Sequence, residues 1–545
     1  MSGRAKRLPL VDLVLALVMG LPLIALAMAA FGSFAGGNSA LSARMLPVAL
    51  RDTGWLMAWV GLASATLGLS SAWLVSHFEF PGRRIFDWAL ILPLAIPTYL
   101  SAYTWVEFLD FTGPVQTAIR QLGGFDTIRD YWFPQIRTTG GAAFVMSLVL
   151  YPYVYLSCRA FFLTQSGAMN AAARTLGAGP VRTFFTITLP LSRPAVAVGV
   201  SLALMEVIND LGAVQYFGVN SLTSVIYSTW INRSNFAGAA QLAVTIVVII
   251  ASLIWLEQYA RRNRRHIGAR EGTTPPARIV LKGWRGFGAL AFSSWLLAFG
   301  FGVPVSELVS IASKRMWSGV AAPGLISAGI NTLLLGFLGA ASCVIIGLIT
   351  ARRLNRQPAD RKSKTLLRMA TLGYAVPGTV LALGLLVPLG MLDGWINSAL
   401  GALTGWGPGL VLSGTFFALI YAYTIRFLTI SHSNIDTAIK KRGNSILDAA
   451  RVLGSRGWKL LFRIELPSLT PAIFAAATLV FVEIVKELPA TLLLRPIGVE
   501  TLATLVYSKA SAELFDAAAI PALMIVGAGL IPVILASRLS QRKRN

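Results

Sequence analysis

Only two cysteines, Cys158 and Cys343, and three histidines, His77, His266 and His432, occur among 545 residues. Both cysteines lie inside apolar runs, so neither a disulfide framework nor a thiolate metal site is supported, and packing is their expected role. The histidines fall near the expected ends of apolar segments and form no ligand pattern by spacing. Charge is scarce too: Asp, Glu, Lys and Arg together make 13% of the chain. A soluble globular domain carries about a quarter charged residues, so that class is excluded. No segment of the form G-x-x-x-x-G-K-[ST] is present. The backbone cradle that ATP hydrolysis needs is therefore missing from this chain.

What is present is apolar sequence. Hydrophobic residues make 55% of the chain, and the mean hydropathy is +0.67. Runs long enough to cross a hydrocarbon core of about 30 Å recur throughout. They are expected at 9–32, 53–76, 86–109, 141–163, 195–217 and 238–258, then at 287–311, 325–350, 367–391, 409–431, 472–494 and 516–537. The fold expected is all-α and integral to the membrane, with about twelve spans. The first run follows Arg4, Lys6 and Arg7 and is too long for a signal peptide, so a retained helix is expected. Between the two sets of six lies a basic stretch with Pro275 and Pro276, an exposed linker by composition. The expected domains are 1–260, a linker 261–286, and 287–545.

The net charge of +24 raises the question of nucleic acid. Its distribution argues against that partner, because the basic residues sit in short segments between apolar runs. Arg83 and Arg84, the segments 261–265, 352–368 and 440–442, and the C-terminal 538–544 all fall on one face if the N-terminus is inside. The rule that basic loops stay in the cytoplasm then places both termini there.

An internal repeat organises the chain. AAARTLGAGPVRTFFTITLPLSRPA at 171–195 matches DAARVLGSRGWKLLFRIELPSLTPA at 448–472, with an offset of 277 positions (454 − 177) and no gap. Ala171, Ala172 and Ala173, like Asp448, Ala449 and Ala450, favour a short helix, and Asp448 sits where an acid complements a helix N-terminus. Gly177 and Gly454 follow and are free to take the left-handed conformation that ends a helix. Pro190 and Pro467, each after a leucine, are expected to redirect the chain before the next span. A plain re-entry turn is the bland alternative, and two copies at identical spacing weigh against it.

The E-A-A, three residues, Gly, then Leu-Pro pattern resembles the cytoplasmic loop of ATP-binding cassette importer permeases. The resemblance implies two tandem MetI-like six-helix permease units related by a pseudo-two-fold axis. It further implies a bacterial inner-membrane location, a coupling helix in each loop that docks on a separate ATPase present in two copies, and a periplasmic or extracellular substrate-binding protein. ATP and Mg would bind that ATPase, leaving this chain without a cofactor and without catalysis of its own. The family's glutamate position holds Ala171 in one copy and Asp448 in the other, so the second loop is expected to depend more on charge.

After each loop comes a span with acids: Glu206 and Asp210, and Glu483 and Glu487, again 277 apart. An i, i+4 pair shares one helix face, and an acid in the bilayer costs roughly 2.5–3.5 kcal/mol on insertion scales. Either the acids line a cation pathway or they are structural, with Lys486 neutralising Glu483 and Asn209 bonding locally. The stretches EVINDLGAVQYFGV, VEIVKELPATLLLRP and ETLATLVY resemble the fused permeases of ferric-iron importers, which implies iron as transient cargo with no resident metal. Carboxylates and tyrosines such as Tyr216 suit a hard cation. Thiamine, polyamine or organophosphonate permeases are the alternatives in class. A proton-coupled secondary transporter is the alternative outside it, but it has no use for paired coupling loops. No nucleophile or metal-ligand constellation supports an enzyme.

Overall fold

The computed structural model describes residues 10–35, 40–127, 129–164, 173, 175–262, 278–318, 323–356, 365–367, 370–371, 373, 376–443 and 445–542. Among them the chain is helical almost throughout. Its one strand pairing joins Phe78–Glu79 in parallel to Ile279–Val280. Ten described helices are long and apolar enough to cross a membrane, and an eleventh arises if a bent pair is counted as one span. Leucine, tryptophan and phenylalanine side chains stand exposed along them, among them Leu10, Trp55, Trp59 and Phe337. Such surfaces are at home only where lipid is the solvent.

Several spans depart from expectation for local reasons. The run at 86–109 is not straight: Arg83–Ala95 and Thr98–Gly123 meet at 92°. Pro97 stands at the break with φ −55° and ψ 143°, and Ile96 before it is extended, because proline disfavours the helical region for its predecessor. The helix expected at 409–431 runs over Phe416–Arg442 and carries Arg426 and three terminal basic residues, which lower its apolar character. The spans expected at 195–217 and 472–494 end early, at Asn209 and Val485.

Pro190 and Pro467 do not redirect the chain. The helices Pro180–Asn209 and Gly457–Val485 run straight through them. Each proline is preceded by a five-residue π-helical turn, Phe184–Thr188 and Leu461–Glu465. A proline ring collides with the carbonyl four residues back in an α-helix, and a wider turn just before it relieves that clash without a break. Pro304 follows the same rule, one residue beyond the π-helical turn Ala298–Gly302 and Val303.

The described residues divide between two compact units, one within Met1–Ser39, Asn235–Val244 and Ala322–Leu505, the other within Ala40–Ser234, Thr245–Ala321 and Val506–Asn545. In the first unit, helix Leu10–Ala35 lies along Gly378–Thr404, where the Pro22 carbonyl approaches Gly384 too closely for any side chain. Asp12 is buried and pairs with Arg353 at 2.5 Å, and the Tyr421 hydroxyl donates to the Val18 carbonyl. A buried carboxylate needs such a partner, which ties the N-terminal helix to sequence far downstream. In the second unit, Ala40–His77 packs on Thr139–Thr164, with Gly68 and Gly199 both against the backbone around Val154. Small residues permit this approach of helices where lipid gives no hydrophobic drive. The helix Val303–Trp317 completes that unit against Thr98–Leu109 and Phe515–Arg542.

Candidate functional site

Two features recur in both repeats, the loop before the long helix and the break after it. In the first loop Ala171 and Ala172 lie outside the described residues. Ala173 is buried, Gly177 has φ 77°, and the Ala178 amide donates to the Ala173 carbonyl at 2.9 Å. In the second, helix Ser445–Val452 carries Asp448 in its first turn, and Gly454 has φ 84°. There the Ser455 amide donates to the Ala450 carbonyl at 2.9 Å, the same closing bond 277 positions on. Both glycines thus take the left-handed form expected of them.

The second loop helix is anchored by Leu447 and Ala450, buried with Leu460 and packed on Ile464. Its other face is open. Ala449 is exposed, and Asp448 pairs in the same helix with Arg451 at 2.8 Å. Apolar side chains stand exposed at matching positions in both copies. Leu176 and Leu453 are 86% and 85% exposed, Val181 and Trp458 64% and 74%, Phe185 and Phe462 61% and 60%. Sequence reasoning passed over these three pairs because hydrophobic residues beside a span read as part of it. Their shared offset was the signal available.

At the breaks, the acids of each pair do not share a helix face, because the helix ends between them. Glu206 lies half-buried in the last turn, its carbonyl accepting the Asp210 amide at 3.0 Å. Asp210 is buried beyond the helix end; its carboxylate accepts the Ala213 amide at 2.8 Å and the Thr98 hydroxyl. It thereby caps the short helix Gly212–Tyr216. Glu487 does the same for Pro489–Leu494, accepting the amides of Ala490 and Thr491 at 2.9 Å each and the Thr491 hydroxyl at 2.5 Å. Glu487 also faces a cation, the Arg426 guanidinium at 3.0 Å. Glu483 pairs with Lys486 at 2.8 Å.

The residue after the helix-initiating proline differs between the copies. Pro97 and Pro377 share one backbone conformation, 280 positions apart (377 − 97). Thr98 follows the first and supplies the hydroxyl to Asp210, whereas Gly378 follows the second. A Cβ at Gly378 would fall 2.3 Å from Arg426 Nη1 and 2.7 Å from Glu487 Oε1. Glycine is required there because the ion pair fills the space. Beyond the breaks the copies agree again: Thr53 accepts the Leu222 amide at 2.9 Å and Thr332 the Leu502 amide at 2.8 Å, starting the helices Leu222–Ile231 and Leu502–Ser511. Among the described residues no three His, Cys, Asp or Glu side chains gather as a metal site.

Multiple apolar spans, a duplicated loop and broken helices with buried, compensated acids define a membrane permease built on an internal repeat. The chain belongs to the family described as binding-protein-dependent transport system inner membrane component, whose pattern matches residues 64–266 and again 343–545. It is similar to the Fe(3+)-transport system permease protein FbpB 2 of Haemophilus influenzae, 27% identical over 499 residues, covering 89% of this chain and 88% of the relative. The molybdenum transport system permease protein ModB of Escherichia coli is 31% identical over 217 residues, 38% of this chain and 90% of its own. The sulfate transport system permease protein CysT of Salmonella typhimurium is 27% identical over 214 residues, 38% of this chain and 73% of its own. The chain is accordingly a permease subunit of an ATP-binding cassette importer, not an enzyme.

Proposed function

We propose that this permease carries ferric iron across the bacterial inner membrane, with both termini in the cytoplasm. An external binding protein delivers the cargo. A separate ATPase, two copies docking on the loops at 171–195 and 448–472, supplies the energy and holds ATP and Mg. The observation that carries the choice of cargo is shared architecture: the likeness to an Fe(3+) permease runs over 89% of this chain and 88% of that relative, whereas the molybdenum and sulfate permeases, matched over 90% and 73% of their own lengths, span 38% of the chain. The docking assignment is supported by the three exposed apolar pairs repeated at the 277 offset, surfaces suited to a protein partner.

Uptake of labelled ferric iron and of labelled molybdate, measured in cells with and without the chain, tests the reading. Loss of iron uptake alone is expected on deletion. Loss of molybdate uptake with iron unaffected would overturn it.

A further inference from the structure

One compact unit contains a cluster that its sequence repeat lacks. Tyr99 and Tyr103 lie on helix Thr98–Leu109, with ring centres 5.9 Å apart, and Tyr103 meets Tyr216 edge to face at 4.6 Å. Tyr103 is 5% exposed. The hydroxyls of Tyr103 and Tyr216 have no hydrogen-bond partner among the described residues. A buried hydroxyl left unmade costs about 1–3 kcal/mol, so two together call for an explanation. Beside them, the Tyr507 hydroxyl donates to Gln215 at 2.6 Å, and Asp210 lies within electrostatic reach of Tyr103.

The surroundings are acidic in a chain of net charge +24. Glu107, Asp110 and Glu513 act on Tyr216, and Asp516 acts with Asp110 on Glu107. Among the described residues the basic group acting on Tyr216 is Arg137, whose guanidinium lies 5.0 Å over the Tyr216 ring and 4.0 Å from Glu513. The carboxylates outnumber it. At the 280 offset Tyr103, Glu107 and Asp110 correspond to Leu383, Val387 and Gly390, and at 277 Tyr216 corresponds to Leu493. The second repeat therefore carries none of these oxygen donors.

We propose that Tyr103 and Tyr216 form a binding station for a hard trivalent cation, with Glu107 and Asp110 at its approach, and that this station belongs to the first repeat alone. Phenol and carboxylate oxygens are hard ligands, and an oxyanion would meet repulsion from the same carboxylates. Each phenol that coordinates gives up its proton to water, so the cation gains a phenolate and one proton is released per ligand. The proposal rests on the reading of the cargo as ferric iron and adds where that cargo is held.

The experiment uses the full chain with its ATPase in lipid nanodiscs, titrated with ferric citrate. A visible phenolate-to-iron charge-transfer band is expected in the parent protein. It should vanish in Tyr103→Phe combined with Tyr216→Phe, a change that keeps both rings in place, and Glu107→Gln should weaken iron binding about tenfold. No band, or a band unchanged in the phenylalanine variant, would overturn the station. So would molybdate binding that falls in the same variant, which would make the phenols oxyanion donors. Cells that keep normal iron uptake without this chain would overturn the cargo reading while a tyrosine-dependent band left the station standing.

Discussion

The two repeats solve one problem with different chemistry. Each must end a long apolar helix and start a short one. In the first, Asp210 is held by the Thr98 hydroxyl and the amides of Ala213 and Val214; in the second, Glu487 is held by the Thr491 hydroxyl, two amides and, in addition, Arg426. Both leave a carboxylate at a helix start, but one copy compensates its charge with a full cation and clears space for it with Gly378. Equivalent positions in a duplicated fold thus carry unequal energetic weight. Losing a neutral hydroxyl costs less than losing a buried cation, because removing a charge strands its partner.

The largest expected effect follows from that difference. Arg426→Ala leaves Glu487 buried without its cation and is expected to destabilise the protein by about 3–5 kcal/mol, whereas Thr98→Val should cost about 1–2 kcal/mol. Thermal unfolding in detergent compares them, and equal losses would erase the distinction between the copies. Gly378→Thr, which gives the second copy the residue of the first, should match Arg426→Ala, since its Cβ enters the ion pair.

The loops invite the next comparison. Trp458 and Val181 are exposed equivalents, and a tryptophan buries far more surface on docking. Trp458→Ala should weaken ATPase binding by about 2 kcal/mol and Val181→Ala by less, as read by titration of the purified ATPase. Identical affinities would place the contact elsewhere.

Replacing the left-handed glycines comes third. Gly454→Val and Gly177→Val force a branched side chain into a conformation costing roughly 1–2 kcal/mol or more, which should abolish coupled uptake while the protein still inserts. Normal ferric uptake with either variant would sink the coupling assignment for that loop.

The smallest effect concerns Asp448. Its pairing with Arg451 within an exposed helix turn is worth a few tenths of a kcal/mol, about 0.3–0.5. Asp448→Ala should leave stability almost unchanged yet lower ATPase affinity in a salt-dependent way. A loss insensitive to salt would remove charge from the account of the second loop.

Much of this was readable in advance. The spans follow from apolar runs, and the 277 offset from glycine and proline placement, since both are properties of neighbouring residues. Gly177 and Gly454 took the conformation expected because nothing distant is needed to select it. Pro190 and Pro467 misled, because a π-helical turn leaves no mark in composition. The acid pairs misled for another reason: i, i+4 spacing implies a shared face only if the helix continues, and here it stops at Asn209 and Val485.

Local pattern was enough to settle the solvent, the helical class and the duplication, because hydropathy and backbone preference act over a few residues. Contacts across long separations settled the rest. Asp12 meets Arg353 across 341 positions, Thr98 meets Asp210 across 112, and Arg426 meets Glu487 across 61. Which acid is compensated, by what, and which helix completes which compact unit are consequences of burying charge away from water, and burial is set by packing of the whole chain.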